Sequence, residues 1–149
     1  MENVETARIR GAELSSGFDT GGWNIAAALS YSDTENRDTD ARLPRRAEKT
    51  ARLDVDRLFS RWSVGASLVA EGNRYNDAAN TSLLPGHGTV DLRAAWNFLP
   101  GWSASFKVDN VLDRRYTTSL GSDNVTFEPF DYLAAGRTYM ASVRYDFSR

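Results

Sequence analysis

Cysteine is absent from the 149 residues of this chain, and histidine occurs once, as His87. The first absence excludes disulfides and thiolate chemistry and leaves the compartment open. The second all but removes zinc sites and histidine-based triads. No apolar run approaches the ~20 residues of a membrane-spanning helix. The opening "MENVETARIR" lacks the apolar h-region of a secretory signal, so export would depend on a signal outside this stretch. Charge of one sign is missing too: 18 Lys and Arg face 20 Asp and Glu, for a net −2. That balance gives no pull toward nucleic acid, and the short basic run "RLPRR" (42–46) is offset by Asp38, Asp40 and Glu48. A glycine-rich phosphate loop ending in Lys-Ser/Thr does not occur. The mean hydropathy of −0.49 would suit a soluble chain, but that average is blind to strands that are apolar on one face only.

What the chain has instead is period-two alternation. In "WNIAAALSYS" (23–32), Trp23, Ile25, Leu29 and Tyr31 share one face and Asn24, Ser30 and Ser32 the other. The same pattern runs through 62–71, 89–98, 102–110 and 137–147, and less cleanly through 7–18 and 49–59. Alternation of this length signals β-strands, so the expected fold is all-β, with about seven strands. The connections alternate as well. Short turns fall at Asp19–Gly22, Ser60–Arg61 and Leu99–Gly101, and long polar stretches near 33–48, 72–88 and 113–136. Short turns at one end and long loops at the other describe an antiparallel up-and-down sheet, the pattern of a transmembrane β-barrel of the outer-membrane kind.

Each short turn is bracketed by aromatics: Phe18 and Trp23, Phe59 and Trp62, Phe98 and Trp102. These six are expected to form a girdle at headgroup level along one membrane interface, where amphipathic rings are favoured. Opposite the apolar stripe lie Arg52, Asp54, Asp91, Arg93, Lys107, Asp109 and Arg144, which a wet barrel lumen would accommodate. One alternative is a soluble sandwich or lipocalin-like barrel whose aromatics fill a core; it leaves the aromatics at every short turn without a reason. A second is a small outer-membrane enzyme built on His87 with Ser82 and Asp91. Nothing in the spacing ties those three together, and the chain reads as a non-enzyme.

Several stretches resemble TonB-dependent outer-membrane receptors. "NVLDRRY" (110–116) is similar to the Asn-x-Phe/Leu-Asp-x-x-Tyr motif near the end of that family. "AGRTYMASVRYDF" (135–147) resembles its last strand, "ARIRGAELSSGFDTG" (7–21) its Gly-x-Glu strand, and "LPRRAEKTARLDVD" (43–56) its Pro-Arg-Arg start of a later strand. Order and spacing look most like the cobalamin (vitamin B12) receptors within the family, with siderophore receptors as the alternative. The resemblance covers essentially the whole chain. It implies that residues 1–149 are the C-terminal part of a barrel of about 22 strands, without the plug or the segment that contacts TonB. It also implies a place in the Gram-negative outer membrane as a multi-pass barrel. The implied partners are membrane lipid, the remaining strands and plug, the TonB complex acting indirectly through that plug, and cobalamin or a similar small ligand. No cofactor or metal is implied, and this portion alone would not transport. The family ends on an aromatic residue, whereas here Phe147 is followed by Ser148 and Arg149.

The resemblance places Arg45, Tyr75 and Tyr132 where loop residues face a ligand. An arginine there would donate to amide or phosphate oxygens and a tyrosine would stack on a macrocycle. The bland alternative is that all three are ordinary rim residues. Asp109, Asn110 and Asp113 bear a superficial likeness to a calcium site, but their expected part is structural, closing the end of a strand. His87, in "PGHGT", is expected to be a solvated loop residue.

Overall fold

The computed structural model describes residues 6–122 and 129–147. Eleven strands follow one another: β1 Ala7–Thr20, β2 Trp23–Asn36, β3 Lys49–Leu58, β4 Trp62–Glu71, β5 Arg74–Tyr75, β6 Leu83–Leu84, β7 His87–Leu99, β8 Trp102–Asp109, β9 Thr117–Ser122, β10 Pro129–Leu133 and β11 Thr138–Tyr145. Seven of them form one antiparallel sheet in the order β1-β2-β3-β4-β7-β8-β11. These are the seven strands that the alternation predicts. The other four make two small hairpins, β5–β6 and β9–β10, inside stretches expected to be plain loops.

The register separates the chemistry of the two faces. One row crosses all seven strands as Phe18, Ile25, Val55, Ala66, Leu92, Val108 and Tyr139. The next row, one residue along, reads Asp19, Asn24, Asp56, Gly65, Arg93, Lys107 and Met140. Successive side chains point to opposite sides of a strand, so the first row lies on an apolar face and the second on a polar one.

Among the described residues Leu43 and Leu84 are the only buried hydrophobics, and both sit in the loops. Leu92, at the middle of the sheet, is 44% exposed. Folding in water requires apolar area to be removed from it, and here no second layer covers the apolar face among the described residues. The alternative of a soluble barrel with a filled core therefore fails: the solvent of this face must itself be apolar.

The ends of the sheet differ. Gly21 and Gly22, with φ of 55° and 82°, form the two-residue β1–β2 turn. Positive φ at both central positions is what a type I′ hairpin demands and what glycine supplies without strain. Asp19 and Thr20, expected in the turn, pair with Asn24 and Trp23 instead. β2 also runs further than its alternation, to Asn36. The expected loop 33–48 therefore begins as strand, with Asp33 to Asn36 paired to Arg10 through Ala7. Arg8 donates to Glu35 across that extension. Ser148 and Arg149 lie outside the described residues.

Candidate functional site in the long-loop layer

The three long connections leave the same end of the sheet, and side-chain amides join them. Asn80, between β5 and β6, accepts from the backbone N–H of Arg42 through Oδ1 (2.7 Å) and donates to its carbonyl through Nδ2 (2.9 Å). Asn76 does the same to Leu120 of β9, at 2.9 and 3.2 Å. A carboxamide offers one acceptor and two donors, so it can stand in for the edge of a strand. Arg74 is buried at 9% exposure. Its guanidinium donates to the Thr118 carbonyl (3.1 Å) and reaches Glu71 (3.4 Å), which supplies the partners a buried cation requires. Leu84 and Leu43, the two buried hydrophobics among the described residues, belong to these same connections.

Asp77 shapes the β5–β6 turn by accepting from the backbone N–H groups of Thr81 (3.0 Å) and Ser82 (2.7 Å). Those donors, Thr81 first, hold its carboxyl below the ordinary 3.8, at about 2. The folded form is the more acidic one, so the turn keeps its full support above about pH 4. It loses that support as pH falls through about 2. Amide protection factors at Thr81 and Ser82, with the intrinsic pH dependence of exchange divided out, should fall over that window and stay flat from pH 5 to 7. Replacing Asn80 by Ala removes both bonds to Arg42. Trypsin should then cut after Arg42, Arg45 and Arg46 roughly tenfold faster, while the unfolding free energy of the sheet moves by less than ~0.5 kcal/mol.

The structure brings two of the expected ligand residues together: the Arg45 N–H donates to the Tyr75 carbonyl at 2.6 Å, with Arg45 at φ 61°. Tyr132 lies on β10, in the other small hairpin. Its carbonyl accepts from the Thr118 hydroxyl (2.9 Å), and the Thr118 carbonyl is the one that Arg74 holds. Tyr132 is 53% exposed, and its ring meets Phe130 edge-on at 4.9 Å. Arg45 and Tyr132 are exposed on this layer, whereas Arg74 is buried within it. Sequence reading did not single out Asn76, Asn80 or Arg74. Only Asp77 had a local signal, as the start of an Asx turn in "NDAANTS".

The charged residues expected opposite the apolar stripe all fall on the polar face. Arg52–Asp54 (2.6 Å), Lys107–Asp109 (2.6 Å) and Arg144–Asp146 (2.8 Å) are pairs along single strands. Arg93 instead spans two strands, meeting Asp56 at 2.5 and 2.8 Å and the Ser67 hydroxyl at 2.5 Å, which in turn donates to Asp54 at 2.5 Å. It passes over Gly65, where a Cβ would overlap Asp56 Oδ1 and come within 2.7 Å of Arg93 Nε. Gly65→Val should break this bridge and cost on the order of 1–2 kcal/mol, read as a lower urea midpoint of the bilayer-inserted protein.

Asp91 accepts from the Asn110 N–H (2.8 Å). The buried Asn110 side chain accepts from the Arg114 N–H at 2.9 Å and donates to the Arg114 and Ala135 carbonyls at 2.9 and 3.4 Å. Asp113 accepts from the Arg137 N–H at 2.9 Å. These bonds close the end of β8. His87 departs from expectation. It is the first residue of β7, opposite Glu71, with its ring stacked 3.6 Å from that of Tyr116 and its Nδ1 buried. Glycines on both sides made it look like loop, yet Gly88 pairs with Ala70 and only Gly86 stays outside the strand.

The six turn-flanking aromatics cluster at the short-turn end. Phe59 stacks on Trp62 at 3.9 Å, Phe98 lies 6.2 Å from Trp102, and Phe18 and Trp23 stand on the apolar face beside the Gly21-Gly22 turn.

An antiparallel sheet with no interior, one apolar and one charged face, short turns at one end and latched long loops at the other is the wall of a membrane β-barrel. Residues 1–111 match the family model for the TonB dependent receptor-like β-barrel, and the chain belongs to that family. It is 30% identical over 145 residues to the vitamin B12 transporter BtuB of Photobacterium profundum, covering 97% of this chain and 22% of that protein. Its fold is similar to that of the ferric yersiniabactin uptake receptor FyuA from Yersinia pestis (TM-score 0.85, 22% identity, 95% of this chain and 24% of that one). It is likewise similar to the siderophore receptor PiuA from Acinetobacter baumannii (TM-score 0.78, 23% identity, 93% and 22%). The chain thus spans under a quarter of the length of the proteins it matches.

Proposed function

We infer that residues 1–149 are the C-terminal part of the barrel of a Gram-negative outer-membrane receptor for cobalamin, energised by TonB through a plug that lies outside this chain. The observation that carries the reading is the two-faced, coreless sheet with its loops latched at one end. The substrate rests on the likeness to the vitamin B12 transporter over 97% of the chain. In this reading the apolar face meets lipid, with Phe18, Trp23, Phe59, Trp62, Phe98 and Trp102 as its girdle. The face bearing Arg52, Asp54, Asp91, Arg93, Lys107, Asp109 and Arg144 lines the lumen and contacts the plug. Arg45, Tyr75 and Tyr132 contribute to the ligand surface, and these seven strands do not transport by themselves. A siderophore is the second reading, favoured by the folds of the ferric yersiniabactin and siderophore receptors.

The test is equilibrium binding of cobalamin and of a ferric siderophore to the complete receptor in detergent. Saturable cobalamin binding that weakens roughly tenfold in Arg45→Ala or Tyr132→Ala supports the reading. Siderophore binding without cobalamin binding replaces it with the alternative.

A further inference from the structure

On the apolar face, at the short-turn end, one residue breaks the pattern. Arg57 of β3 stands opposite Trp23 of β2 and Val64 of β4, in phase with Leu53 and Val55. The arginines of the polar face each have a carboxylate: Arg52 has Asp54, Arg93 has Asp56, and Arg144 has Asp146. Arg57 has none among the described residues. It is held by other means. Its Cζ lies 5.1 Å from the Trp23 ring centroid and 5.2 Å from that of Phe59, which itself stacks on Trp62. Its Nη1 donates to the Gly21 carbonyl. The seat depends on Gly22, where a Cβ would come within 3.0 Å of Nη1 and 2.8 Å of the Leu58 carbonyl.

A guanidinium has five N–H donors in a rigid plane. The seat fixes that plane by ring contacts and one hydrogen bond, and leaves the Nε and Nη2 donors without a protein acceptor among the described residues. A cation on a lipid-facing surface at headgroup depth needs an anion, and the anion that recurs at that depth is the phosphodiester of a phospholipid. Arginine's fork matches two phosphate oxygens at once. Beyond the Phe59–Trp62 stack, the apolar face carries a furrow of about 520 Å³ lined by Trp62, Ala94, Trp96, Ala104 and Phe106, beside which an acyl chain can lie.

We propose that Arg57, seated on the Gly21-Gly22 turn between Trp23 and Phe59, binds the phosphodiester headgroup of one phospholipid from the leaflet at the short-turn end. This rests on the outer-membrane reading above but is independent of which substrate the loops take.

The test is native mass spectrometry of the complete receptor released from a phosphate-free detergent, with phosphatidylglycerol added back. Wild type, Arg57→Gln and Arg57→Lys are each first checked for the heat-modifiable gel migration of a closed barrel. Wild type should retain one phospholipid at a concentration roughly tenfold below that needed by Arg57→Gln, with Arg57→Lys between them. Inorganic phosphate should not displace the lipid. Equal retention by wild type and Arg57→Gln overturns the proposal. Displacement by inorganic phosphate alone overturns it in favour of a free-anion site. Loss of cobalamin binding in an otherwise lipid-retaining receptor sinks only the substrate reading, whereas failure of wild type to form a closed barrel sinks both.

Discussion

Produced alone in buffer without detergent, this chain should leave the supernatant almost completely on centrifugation. The row from Phe18 to Tyr139 lies uncovered across all seven strands, and Leu14, Leu29, Leu68 and Val143 extend it with exposures of 68, 55, 43 and 65%. An apolar patch of that extent drives association in water. The outer edges of β1 and β11 add to this, because each ends the sheet with unpaired backbone groups. Such edges template pairing with another chain and are very costly in lipid, where no water satisfies them. In micelles the chain should remain dispersed but migrate as a mixture of associated species. A single monomeric species in plain buffer, unfolding cooperatively in urea, would show that the apolar face has a cover of its own.

Leu92→Arg should cost about 2–4 kcal/mol in the complete, bilayer-inserted receptor, the range for a cation on the lipid face near the midplane. The matched change three residues on, Ala95→Arg, should cost less than ~1 kcal/mol. Ala95 pairs with Ser63 and Ser105 on the polar face, where a wet surface solvates the guanidinium. Urea titration in phospholipid vesicles measures both. The contrast discriminates sharply, because in a water-soluble sheet the order would reverse or vanish: replacing a residue that is 44% exposed by arginine falls within about ±0.5 kcal/mol. A cost at Leu92 no larger than at Ala95 would therefore contradict the assignment of the two faces.

Both predictions use features legible in the sequence, since a two-residue period survives without any knowledge of partners. Leu92 and Arg93 belong to opposite faces whichever strands flank them. The same holds for the turn glycines and for the alternation of short and long connections. Legibility stops where the period stops. Asp33 to Asn36 are polar in both phases, so nothing marked them as strand; β2 continues there because β1 continues beside it and Arg8 meets Glu35. β5 and β6 are two residues each, too short for any period to register. The latches are harder still. Asn76 and Asn80 look like turn residues, and their partners lie 44 and 38 positions away, a pairing visible only in three dimensions. Arg93 crossing Gly65 to Asp56 stands between these cases: each residue reads as polar-face, but the bridge follows only from the register.

The strict separation of the two rows carries a consequence for insertions and deletions. In β7, even-numbered positions face one solvent and odd-numbered positions the other. Removing one residue from the strand interior exchanges them for every position beyond the cut. A deletion near Ala94 would turn Trp96 toward the charged side and Asn97 toward the apolar one, several misplacements at once, where any substitution makes one. Length changes in 37–48 or 72–82 touch the loop latches and the β5–β6 hairpin but shift no strand of the seven-stranded sheet. A gene encoding this wall can therefore vary in loop length away from the latch residues while its strands tolerate exchange of residues but not change of count.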